Sequence, residues 1–220
     1  MFRPRRLIAT LTSVPLLIAC SADRDHRASS VARDPTSSAP SSSVSAPAME
    51  PVVIPLRIER RTSDPETAEF ALIVETTLGD PRGWARAGFR FERRDDAPYV
   101  VVLAEGPEVD ALCLPYDTFG KFSCQNGPVV ALNAERWRSA HPKWTGDVAA
   151  YRQMLVNHEV GHLIGMHHPD RSCPAPREPA AVMAQQSTEL DGCLPNPWPL
   201  DAEIERAARH DLKIAPEYGE

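Results

Sequence analysis

Asn157-His158-Glu159-Val160-Gly161-His162-Leu163-Ile164-Gly165-Met166-His167-His168 is the stretch on which the reading of this 220-residue chain turns. The residues leading into it, from about Asp147 to Ile164, have a helical period. Val156, Val160 and Leu163 share one stripe, and Tyr151, Leu155, His158 and His162 share another. A helix that is apolar on two sides is buried between layers. Residues four apart on a helix stand about one turn above one another, so His158 and His162 present their imidazoles to one ion from the same face. Glu159 lies about 100° further round, too far to be the natural third ligand but within reach of a water beside the ion. Gly165 takes, without steric cost, the positive φ that reverses a chain at a helix C-terminus, and the reversal folds His168 under the ion. Three neutral imidazoles leave one tetrahedral position of a zinc ion open to water, as a catalytic site requires.

Three His, a Glu and a Gly at these offsets arise by chance in a chain of this length at roughly one in ten thousand or less. Isolated histidines such as His26, His141 and His210 read by default as solvated or core residues. Asn157 and His167, flanking the ligands, are candidates for supporting them. Gly161 costs about 1 kcal/mol inside a helix relative to Ala, which points to something approaching closely there.

Outward toward the N-terminus the composition changes. Arg3, Arg5 and Arg6 precede a short apolar run from Leu7 to Ala19, the pattern of an export signal and too short to span a membrane comfortably. Leu17-Ile18-Ala19-Cys20 resembles the bacterial lipobox, which implies cleavage after residue 19 and lipidation of Cys20; the other reading is an ordinary secretory signal with a chance Cys. Residues 20–51 are Ser, Ala, Pro and charge, a composition for a disordered tether, and folded sequence begins at Val52. Either reading places the domain, 52–220, outside the cytoplasm: attached to a membrane through an N-terminal lipid only in the first, secreted in the second. The formal charge is −6 and grows more negative once the leader arginines leave, which excludes phosphate-backbone binding and hence a nucleic-acid partner.

With Cys20 set aside, Cys113, Cys124, Cys173 and Cys193 remain, an even number that reads as two disulfides in an oxidising compartment. Three pairings are open; joining neighbours in the chain closes the shortest loops. A four-Cys zinc site would need close pairs such as C-x-x-C, which are absent from the chain.

Between tether and helix, Val52 to Ile58, Phe70 to Leu78 and Tyr99 to Leu103 are rich in β-branched and apolar residues and read as three strands. Turn residues follow Leu78, and Trp84 to Ala87 reads as one or two helical turns. Val129 to Asn133 reads as a further strand, and Pro128 before it suits the edge of a sheet, where an extended peptide can add as a strand. Beyond the helix, Pro169 to Pro199 is irregular, and Ala202 to Ile214 reads as a closing helix. Trp198 either walls a pocket or covers the core, and core burial is the commoner fate of an aromatic.

The spacing from His158 to His168 matches H-E-x-x-H-x-x-G-x-x-H and resembles the metzincin clan of zinc endopeptidases. That resemblance implies an α+β zincin fold: a twisted mixed sheet backed by the site helix, then an irregular, disulfide-braced C-terminal part beginning near Gly165, with the cleft between. It also implies a Met in a tight turn beneath the metal, for which Met183 is the candidate; its bland reading is a core methionine. Several metzincins place an oxyanion-stabilising Tyr just after that Met, whereas Gln185 and Gln186 stand here. Asp80-Pro81-Arg82-Gly83-Trp84, the His158 stretch, Val182 to Gln186 and Gly192 to Pro199 look like a family of uncharacterised actinobacterial secreted zincin-like domains. The expectation is a zinc metallopeptidase acting on peptide or protein substrates in the cell envelope, with His158, His162 and His168 as ligands and Glu159 as base. Two alternatives stay open: a non-proteolytic zinc-binding envelope protein, which a fourth ligand such as Asp170 would favour, and a hydrolase of amides in peptidoglycan.

Overall fold

The structure, a computed structural model, describes residues 50–215. The leader, Cys20 and all but the end of the tether lie outside the described residues. The described chain runs β1 (Val52–Arg60), α1 (Phe70–Leu78), β2 (Phe89–Arg93), β3 (Tyr99–Ala104), α2 (Gly106–Cys113), β4 (Cys124–Asn126), β5 (Val129–Asn133), α3 (Ala134–Ser139), α4 (Val148–Leu163) and α5 (Asp201–Ala207). A 3-10 turn at Trp84–Ala87 matches the short helical stretch expected there.

The strands form one mixed sheet in the order β2-β1-β3-β5-β4. The first four in that order are mutually parallel, and β4 runs antiparallel at the edge. Strand alternation divides the core in two. Ile54, Leu56, Val101, Leu103, Val130 and Leu132 face the layer containing α1 and α4. Val100, Val102, Ala104, Val129 and Ala131 face the other way, onto Val109 and Cys113 of α2. Each buried Val, Ile or Leu among them contributes about 1.5–3 kcal/mol by leaving water, so the sheet is a rigid floor for α4. No helix among the described residues is long and apolar enough to cross a membrane.

Three expectations are corrected. Phe70–Leu78 is a helix, not a strand: Phe70, Val74, Thr77 and Leu78 are buried at helical spacing while Leu72 is exposed. Its β-branched residues favour a strand only where packing does not decide, and here Phe70 meets the Trp137 ring edge to face at 4.9 Å. The Thr76 hydroxyl donates to the Leu72 carbonyl at 2.8 Å, as helical threonines do. Second, β5 is an interior strand, buried along its whole length between β3 and β4. Pro128 belongs to the hairpin turn with Gly127 (φ +53°), so no ladder N–H is asked of it. Third, the closing helix stops at Ala207, and the following segment is held by the Ala215 N–H on the Leu163 carbonyl at 2.9 Å.

Candidate metal centre

Asp147 caps α4, its carboxylate accepting from the Ala150 N–H at 2.6 Å. At the other end the helix closes in a Schellman motif. Gly165, at φ +90°, donates to the His162 carbonyl and Met166 donates to the Gly161 carbonyl, both at 2.9 Å. That reversal carries His168 back to the helix face bearing His158 and His162. A β-carbon at 165 would come within 2.6 Å of the Lys213 carbonyl oxygen, so space and φ both demand glycine.

His158, His162 and His168 form a three-membered group of metal-ligating type among the described residues, and Asp170 is not part of it. His158 Nδ1 donates to the Val182 carbonyl at 2.8 Å, and His162 Nδ1 donates to the Met166 carbonyl at 2.9 Å. A carbonyl oxygen only accepts, so both rings carry their proton on Nδ1 and turn a lone pair on Nε2 inward. The His168 Nε2 lies 3.1 Å from that of His162 and 3.3 Å from that of His158. Four-coordinate zinc with bonds of about 2.0–2.1 Å separates its ligand nitrogens by about 3.3 Å. The two separations at His168 are close to that spacing, and the three donor atoms lie within 4.8 Å of one another, so the trio fits the coordination of one cation.

Burial keeps the imidazoles neutral, each with one nitrogen free of a proton. It is the first cause of the fall in the His158 pKa to about 3, the neighbouring His162 adding to it. His162 is lowered to about 4, chiefly by burial. His168 is lowered by the same cause and by adjacent His167. Glu159 is buried beside them, and its carboxyl is pushed up to about 8 by desolvation.

Met183 lies in a tight turn closed by the Ala184 N–H on the Ala181 carbonyl at 3.0 Å. Its sulfur packs on Gly161, filling the place a β-carbon would take, which accounts for glycine inside the helix. The turn is gripped by a residue that sequence reasoning missed. The Glu203 carboxylate accepts from the Val182 and Met183 N–H groups, each at 2.9 Å, and from Leu200 at 2.8 Å. Since the Val182 carbonyl orients His158, Glu203 stands one residue removed from a candidate ligand. The signal available was a Glu at the third position of α5 reaching back to the helix start, masked because Leu200 is not a capping residue type.

Asn157 ties α4 to the C-terminal segment instead of touching the histidines: its Nδ2 donates to the Pro197 carbonyl at 2.9 Å, and its own carbonyl accepts from Trp84 Nε1 at 2.9 Å. His167 is exposed at the cleft. Trp198 neither walls the cleft nor fills the core; half-buried, it lies under the Arg82 guanidinium at 4.1 Å, while Arg82 forks onto Asp80 at 2.8–2.9 Å. Gln186 is buried and fully engaged, donating to the Ala181 and Asn196 carbonyls and accepting from the Asn196 N–H.

A cavity of about 510 Å³ opens over the histidines, large enough for several residues of a peptide. Edge strand β4 lines it through Cys124 and Gln125, and Tyr151 and Ser187 line it with hydroxyls bonded to each other at 2.7 Å. A disulfide joins Cys113 at the end of α2 to Cys124 at the start of β4, and a second joins Cys173 to Cys193 in the irregular segment.

A family model described as "Protein of unknown function (DUF3152)" matches residues 58–203. No curated protein matches the chain. Among solved structures it is similar to an archaemetzincin from Methanopyrus kandleri, 14% identical over 71% of this chain and 94% of that one, TM-score 0.43. It is also similar to a zinc-dependent peptidase from Methanocorpusculum labreanum (strain Z), 13% identical over 70% of this chain and 99% of that one, TM-score 0.40. Likenesses this distant leave the chemistry to be read from this chain's own side chains.

Proposed function

The chain belongs to the DUF3152 family of proteins of unknown function, and from its own residues we propose that it is a zinc-dependent peptidase of the metzincin type working outside the cytoplasm. The observation that carries the reading is the His158, His162 and His168 trio, its Nε2 atoms spaced at 3.1 and 3.3 Å with two rings locked by backbone carbonyls, beside buried Glu159. Zinc bound there supplies a Lewis acid that polarises a carbonyl and brings the pKa of water to about 7. Glu159 takes the proton of the attacking water and passes it to the leaving amine nitrogen, and beside a divalent cation its carboxyl returns toward the ionised form a base needs. The group has three protein ligands, which favours a catalytic over a structural centre.

The scissile peptide lies along the outer side of β4, whose second edge is open to the cleft, and pairs with it as an added strand. Met183 serves as the Met-turn under the ligands. The two disulfides support an extracytoplasmic location, and the lipid anchor at Cys20 completes it.

The test is to purify the chain without its leader, measure bound metal, and follow cleavage of a peptide library with Glu159→Gln as control. Absence of stoichiometric zinc sinks the assignment. Zinc with equal turnover in both proteins, or none in either, points instead to a binding protein. For the anchor, full-length Cys20→Ser should leave the membrane fraction; retention there refutes lipidation.

A further inference from the structure

The cleft carries a charge opposite to that of the protein. The chain as a whole is acidic, at −6. Yet among the charged residues lining the cleft Glu159 is the one carboxylate, and Lys121 and Arg136 face it from the β4 side.

These cations differ from their neighbours in how they are satisfied. Arg138, two positions along α3, lies within 3.1 Å of Asp64 and 3.0 Å of Glu105. Arg136 instead donates from Nε to the Lys121 carbonyl at 3.0 Å and from Nη1 to the Ala140 carbonyl at 3.4 Å. No acidic partner stands against Arg136 or Lys121 among the described residues. Two backbone carbonyls use part of the guanidinium's five donors and neutralise none of its charge. The bond to the Lys121 backbone holds Arg136 beside that residue, and both line the same cavity.

The pair is close enough to the histidines to act on a bound substrate. Tyr151 stands on α4 two turns before His158, and one cavity is lined by Lys121, Arg136, Tyr151 and the three histidines.

We propose that Arg136 and Lys121 form a carboxylate-recognition subsite, so that the preferred substrate is a peptide bearing a carboxylate on the β4 side of the bond to be cleaved. This rests on the peptidase reading. The carboxylate is either an Asp or Glu side chain or a free C-terminus. In both cases the guanidinium and the ammonium donate charge-assisted hydrogen bonds that an amide cannot replace. Orientation follows: a peptide paired to β4 and anchored at this end has its register fixed over the histidines.

The experiment uses the mature chain and peptide pairs that differ by Glu against Gln at each position around the cleaved bond, or by a free acid against an amide at the C-terminus. Cleavage of the acidic member should be favoured about tenfold in kcat/KM, mostly through KM, because a partly exposed charge-assisted contact is of that order. The preference should shrink as salt rises. Lys121→Glu, at an exposed position that does not endanger folding, should abolish or reverse it, and Arg136→Gln should weaken it. The arm that shows the effect, side-chain or terminal, identifies the source. Dissociation constants of the same pairs on the zinc-loaded Glu159→Gln chain give a readout that needs no turnover. If nothing is cleaved but acidic peptides still bind more tightly in a Lys121-dependent way, the subsite stands and the peptidase reading falls. Equal binding of both members, or a preference that Lys121→Glu leaves unchanged, overturns the proposal.

Discussion

Met183 packs its sulfur onto Gly161, so that a β-carbon at 161 would overlap Sδ and come within 3.0 Å of the Trp84 ring. Gly161→Ala gains about 1 kcal/mol of helix propensity, but overpacking a closed core costs about 1–3 kcal/mol, so the variant should be less stable. Met183→Ala should recover part of the loss in the double variant. Urea denaturation of the single and double variants measures the coupling, and simple additivity would show that the two sites do not interact.

Glu203 is the clasp of the turn holding Met183. Glu203→Gln keeps the shape but has one acceptor oxygen where three backbone N–H groups converge. Unfolding free energy should fall by about 1.5–3 kcal/mol. Because the Val182 carbonyl steers His158, zinc affinity should fall about 10–100-fold, as it does when partners of ligating histidines are lost. A competition titration with a chelating dye reads this, and a stability loss with unchanged zinc affinity would confine Glu203 to packing.

Metal-free protein should have a stability profile with a maximum near neutrality. The folded-state pKa values of His158, about 3, and His162, about 4, lie below the ordinary 6.5. Their contribution is complete above about pH 6.5 and is lost as pH falls toward those values, by about 1.4 kcal/mol per unit for each imidazole. Glu159 acts in the opposite sense. Its folded pKa, raised from 4.5 to about 8, makes its contribution complete at acid pH and lost as pH rises through about 8. Chemical denaturation after chelator treatment should therefore show a decline above about pH 6.5 that is reduced in Glu159→Gln.

Removing the Cys173–Cys193 bridge, which spans a sequence separation of 20, should cost about 3 kcal/mol in the chain-entropy account. The paired substitution Cys173→Ser with Cys193→Ser, compared with wild type by thermal unfolding without reductant, tests it. An unchanged melting temperature would mean that the irregular segment is held by Asn196, Gln186 and Glu203 alone.

Much of the centre is local in origin and was therefore readable from residue order. The offset of four between His158 and His162 is a property of any α-helix, and Gly165 announces the reversal that returns His168. Even the glycine at 161 betrayed a close neighbour, though not which one. Phe70 to Leu78 misled because its β-branched side chains suit either a strand or a helix buried against a sheet, and the partner that decides, Trp137, lies far along the chain. Val129 to Asn133 misled for a related reason: its edge is covered by β4, three residues too short to register as a strand without its partner.

Residue order alone dictated the helix, the gathering of three histidines beside a glutamate and an even set of cysteines, since each depends on the period of a helix or on counting. Packing in three dimensions decided the rest: which strand borders the cleft, which cysteines pair, that Glu203 clasps the turn under His158, and that Arg136 and Lys121 meet at the cleft. Those features join residues tens of positions apart whose types are individually unremarkable, and their meaning comes from burial and mutual distance, which no local pattern encodes.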